Sequence, residues 1–89
     1  MAIATKSNSP AMHVKVHTPF KVYFDGPATS VSAENETGPF DVLPHHKNFM
    51  SLLAPCEIIV RNNEAERHFE ITRGVVHVKA DQVIFFLDI

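Results

Sequence analysis

Apolar residues in this chain recur with a period of two from Met12 to the end, and no 11-residue window sustains them at i, i+3, i+4 and i+7. Successive side chains of a strand point to opposite faces, so this spacing calls for strands and argues against an amphipathic helical framework. In the run Met12 to His17, Met12, Val14 and Val16 share one face while His13, Lys15 and His17 share the other. That is a strand with one side in water. Thr18-Pro19 interrupts it. In the next run Val22 and Phe24 are predicted to share a face, and Asp25-Gly26-Pro27 supplies turn chemistry expected to end it. Ala28 to Ala33 has Val31 as its main inward residue, and Glu34-Asn35-Glu36-Thr37-Gly38 is expected to be a loop.

Phe40 and Val42 alternate with Asp41 until Leu43-Pro44 stops the run, because proline restricts the residue before it and donates no hydrogen bond. A turn over residues 45–48 is followed by two apolar runs, Phe49 to Ala54 and Glu57 to Arg61, separated by Pro55-Cys56. Asn62-Asn63-Glu64-Ala65 suits a tight hairpin loop, and the alternation resumes over Arg67 to Ile71. Gly74 permits a bend or bulge. Two last runs face each other across Asp81. In the second of these, Val83, Phe85 and Leu87 alternate with Ile84 and Phe86, so both faces are apolar. Such a strand is either covered on both sides or forms a contact surface, and it is also able to pair with its own copy. About eight to ten short strands with frequent turns make an all-β fold, a two-sheet β-sandwich or flattened barrel. Residues 1–11 are predicted to be a flexible lead and residues 12–89 one domain.

At 89 residues the chain has room for one core only. Its 45% hydrophobic and 20% charged content suits a compact domain and not a disordered one. Net charge is −2 and the basic residues are scattered, which argues against a nucleic-acid partner. Cys56 is the only cysteine, so an intrachain disulfide and a two-cysteine metal or redox motif are both excluded. It is expected to be a small buried hydrophobe in a reducing compartment. The longest apolar stretches fall far short of the roughly 20 residues a membrane helix needs, and the first ten residues hold no apolar signal core. A soluble, unprocessed chain is the expectation.

Six histidines invite a metal hypothesis. On a strand, His13 and His17 stand about 13 Å apart and cannot share an ion. His45 and His46 are adjacent, and complete a site only if a distant residue such as His68 or His77 folds against them. His13, His17, His68 and His77 are otherwise expected on the wet faces of strands. Ser51 and Cys56 lack the flanking glycines of a nucleophile turn. The carboxylate pairs Glu34 with Glu36 and Glu64 with Glu66 lie at loops. Gly26, Gly38 and Gly74 are too dispersed to cradle a phosphate. The residues alone therefore describe a scaffold without a catalytic constellation.

The stretch Gly38-Pro39-Phe40-Asp41-Val42-Leu43-Pro44-His45-His46 resembles the glycine, apolar, Leu-Pro, x-His segment of the epsilon subunits of F-type ATP synthases. Further similarities follow in the same order: Thr18-Pro19, Val22 to Gly26, Leu53-Ala54-Pro55, the hairpin at Asn62-Asn63, Gly74-Val75-Val76 and the closing run Val83 to Leu87. This sequence departs from the family's glycine at the positions of His45, Cys56 and Arg73, and from its Ala-Pro at Lys47-Asn48.

The resemblance implies a β-sandwich of the central stalk that binds the gamma subunit and the membrane c ring and couples proton transport to ATP synthesis. It implies no active site and no cofactor. His46, Phe49 and Met50 are the residues it places toward gamma, and the loop Glu34, Asn35, Glu36, Thr37, Gly38 and Pro39 toward the c ring. It also implies a peripheral position on the cytoplasmic face of a bacterial inner membrane. The family's C-terminal helical pair, which restrains ATP hydrolysis, is not expected in a sequence that stops at Ile89. Two other readings stay open: a small metal-dependent β-barrel protein using His45, His46 and His77, and a freestanding protein-interaction module.

Overall fold

The computed structural model describes residues 11–63 and 65–88, so the expected lead over residues 1–10, Glu64 and Ile89 lie outside the described residues. Nine strands run through the described chain: β1 Met12–His17, β2 Val22–Ala28, β3 Ser30–Asn35, β4 Gly38–Val42, β5 Phe49–Leu53, β6 Cys56–Arg61, β7 Glu66–Ile71, β8 Gly74–Lys79 and β9 Gln82–Leu87. They form a five-stranded sheet, β2-β1-β9-β8-β5, and a four-stranded sheet, β4-β3-β6-β7. Each sheet keeps two edges, so the architecture is an open sandwich and not a flattened barrel. All strand pairs are antiparallel except β1 with β9, which run parallel. No helix of the described residues is long and apolar enough to cross a membrane.

The alternation that predicts strands also fills the space between the sheets. Met12, Val14 and Val16 of β1, Val76 and Val78 of β8, and Val83, Phe85 and Leu87 of β9 face Val31, Ile58, Val60 and Ile71 of the other sheet, all buried. β-Branched residues predominate, as suits a pleated surface packed on another. Two aromatic contacts close the open flanks. Phe40 of β4 meets Phe49 of β5 at 5.5 Å, and Phe24 of β2 meets Phe69 of β7 at 6.4 Å, both edge to face. The Arg67 guanidinium lies over both rings of the second pair.

The second strand differs from expectation. It does not end at Asp25-Gly26-Pro27 but continues to Ala28, with Pro27 opposite His13. β2 is an edge strand, where a missing N–H leaves no ladder bond broken if it points outward. Val22 and Phe24 do not share a face either. Val16 pairs with Phe24 and His17 with Val22, leaving Tyr23 as the extra residue of a bulge. The bulge turns Phe24 toward the core and leaves Val22 half exposed on the side of His17. β9 differs as well. It is hydrogen-bonded on both sides, to β1 and β8, so self-pairing through this strand is closed off.

Candidate interaction surfaces

The segment expected as a loop over residues 34–39 is the end of a hairpin. Glu34 pairs with Pro39 and Asn35 with Gly38, so only Glu36 and Thr37 form the turn. Sequence reasoning overestimated the loop because polar residues at a hairpin end give no apolar alternation to read. Gly38 adopts φ 132°, a conformation open mainly to glycine, although nothing stands within 4 Å of where a Cβ would be. The Asn35 side chain ties the tip down twice. Its Oδ1 accepts the Thr37 N–H at 2.9 Å, and its Nδ2 donates to Ser51 Oγ at 3.1 Å. Behind it, the Ala54 N–H donates to the Glu34 carbonyl at 3.0 Å. Glu34, Glu36, Thr37 and Pro39 remain exposed at a rigid tip.

His46 sits in the connection from β4 to β5. Its N–H donates to the Leu43 carbonyl at 3.2 Å, and its ring Nδ1 lies 2.8 Å from the Lys47 carbonyl. A carbonyl only accepts, so Nδ1 carries the proton. The ring stands edge to face with Phe49 at 5.6 Å, and Phe49 meets Phe40, so three rings line the β4–β5 flank. Met50 is not among them. The strand period turns it to the outer face of the five-stranded sheet, opposite His77 and 64% exposed. The residues expected toward gamma therefore occupy two neighbouring faces.

That outer face carries a feature the sequence reading missed. Pairing registers place Val22, His17, Phe86, Val75 and Leu52 side by side across all five strands. Phe86 is 45% exposed and Leu52 73%, and the His17 ring meets Phe86 edge to face at 5.1 Å. Apolar residues on both faces of β9 were the available signal, but the row needs the registers of four strand pairs to appear. At its Leu52 end the row borders an open groove of about 530 Å³ between Pro55, Gly74 and Phe86, with Arg73 Nε donating to Asp88 Oδ2 at 3.0 Å beside it.

The four-stranded sheet presents the opposite character. Ser32 Oγ donates to Asp41, Arg61 donates to Ser32 at 2.8 Å and to Glu66 at 3.1 Å, and the His68 ring lies between Glu66 at 3.0 Å and Glu57 at 3.3 Å. Hydrogen bonding to Glu66, then to Glu57, holds the His68 imidazole above the ordinary histidine range. The same contact with His68, then Arg61, holds Glu66 below the ordinary carboxylate range. Cys56 is partly buried, and burial is the main cause raising its thiol pKa, so it is a poor nucleophile. His45, His46 and His77 are not brought together, and no three His, Cys, Asp or Glu side chains among the described residues are grouped to hold a metal ion.

Residues 11–88 match the family described as "ATP synthase, Delta/Epsilon chain, beta-sandwich domain". The chain is similar to the ATP synthase epsilon chain of Clostridium novyi, 26% identical over 84% of this chain and 58% of that one. It is also similar to ATP synthase epsilon chain 2 of Paraburkholderia xenovorans, 32% identical over 79% of this chain and 52% of the other. It thus spans about half the length of these relatives. Its fold is that of a chain in the Euglena gracilis mitochondrial ATP synthase structure of OSCP, F1 and c-ring, with TM-score 0.79 and 20% identity over 90% of this chain and 52% of that one. A chain in the central stalk/c-ring structure of the Tetrahymena thermophila mitochondrial ATP synthase gives TM-score 0.72 and 23% identity over 85% of this chain and 62% of that one. A two-sheet sandwich matched from its first strand to its last places this chain in the ATP synthase delta/epsilon family, as an epsilon-type β-sandwich domain.

Proposed function

We propose that this chain serves as a central-stalk subunit of an F-type ATP synthase, binding the gamma subunit and the c ring and coupling proton transport to ATP synthesis without catalysing a reaction itself. The observation that carries this reading is the family match across residues 11–88, with relatives that are ATP synthase epsilon chains. The physical character of the domain supports it. Two sheets packed on a dense Val, Ile and Phe core resist shear, which a part that transmits torque requires.

His46 and Phe49 on the β4–β5 flank, with Met50 around the corner, face gamma in this reading, and the hairpin tip from Glu34 to Pro39 faces the c ring. The subunit is then peripheral, held at the cytoplasmic side of a bacterial inner membrane through its partners. A pull-down with the cognate gamma subunit tests this, with the isolated chain assayed for ATP hydrolysis beside it. Stable capture of gamma and no hydrolysis are expected; no recovery of gamma overturns the proposal.

A further inference from the structure

Among the described residues, two that are not glycine take positive φ: His45 at 67° and Ala80 at 55°. L residues adopt this region uncommonly, and the amide of each of these two is bonded from another loop. The two supports are reciprocal. Asp81 Oδ1, in the β8–β9 turn, accepts the N–H of His45 at 2.8 Å, and Asn48 Oδ1, in the β4–β5 connection, accepts the N–H of Ala80 at 3.1 Å. Each loop therefore holds the amide of the other loop's unusual residue. The Asp81 carbonyl also accepts the His13 N–H at 2.9 Å, which anchors the pair to the start of β1.

From this clasp we infer that Asp81 and Asn48 are positioning residues: they fix the β4–β5 connection in the one conformation that presents His46, with Phe49 edge to face against it, to a partner. The inference rests on the proposed gamma interface for the partner's identity, but the clasp is a property of this chain. A loop whose backbone is already ordered loses less conformational freedom on docking, so its partner dissociates more slowly. Charge is not what the clasp requires. His45 Nδ1 is 3.7 Å from Asp81 Oδ2, both well exposed, whereas the two amide bonds are short and need only an acceptor oxygen. An aspartate and an asparagine filling equivalent roles fit that requirement.

The test compares the whole chain with Asp81→Ala and Asn48→Ala, and with Asp81→Asn and Asn48→Asp, which keep the oxygen. The alanine variants should speed amide exchange at His45 and at Ala80 respectively, and each should weaken binding to gamma about tenfold, the loss of one well-placed hydrogen bond. The oxygen-keeping variants should bind within about twofold of wild type. Asp81→Ala should add little to His46→Ala, because both act on one contact. A purely structural role would lower the denaturation midpoint of the alanine variants and leave the affinity of the folded chain unchanged, and that result overturns the inference. So does an Asp81→Asn variant as weak as Asp81→Ala. Failure of the wild-type chain to bind gamma overturns the proposed function and this inference together, whereas wild-type binding matched by every variant overturns this inference alone.

Discussion

Single residues in this chain carry different kinds of constraint even where their type is the same. Gly38 is needed for its backbone angle, in open space, whereas Gly74 is needed for room: a Cβ there would stand 2.8 Å from the Phe86 carbonyl oxygen and 3.3 Å from Leu87 Cα. Both obstacles are backbone, so β8 and β9 would have to separate. Gly74→Ala is expected to lower stability by about 1–3 kcal/mol, read from the urea midpoint. The sequence offers Gly74 only as a possible bend. Its actual role, the first paired residue of β8 opposite Leu87, depends on which strand lies beside it. His45 makes the reverse point: its φ of 67° lies in the left-handed region that glycine enters freely, yet the residue there carries a side chain.

Strands and their neighbours set the response to pH. The cluster of Glu57, Arg61, Glu66 and His68 spans β6 and β7. His68 has a raised pKa in the fold, so its contribution to stability is complete below the ordinary histidine value of about 6.5 and is lost as pH rises through the raised one. Glu66 has a lowered pKa, so its contribution is present above about 4.5 and is lost as pH falls through the lowered value. The pair is therefore strongest between those limits. Stability is expected to fall slightly as pH goes from about 6 to about 8, and His68→Gln should flatten that fall. Urea midpoints at the two pH values check it. The groups are exposed, so about 1 M salt should suppress most of the effect. At this scale local chemistry misled at β2. Asp25-Gly26-Pro27 has the residues of a turn, yet pairing with β1 outweighs local preference, and an edge position accommodates the proline.

The sandwich as a whole depends on a pairing between two strands distant in sequence, β1 and β9. The first and last strands lie side by side at the centre of the five-stranded sheet, and Phe85 of β9 is the largest fully buried side chain. Phe85→Ala is expected to cost about 3–5 kcal/mol. Far-UV and aromatic signals should still lose structure in one coincident urea transition, since both sheets share a single core. The sequence by itself determined the strand period, most of the faces that became the core and most strand limits, because a two-residue period is written in neighbouring side chains. Only the tertiary structure decided the parallel union of β1 with β9, the bulge that turned Val22 outward, the apolar row across five strands and the clasp between two distant turns. Each of these depends on how separate segments pair or pack against one another, which local composition does not fix.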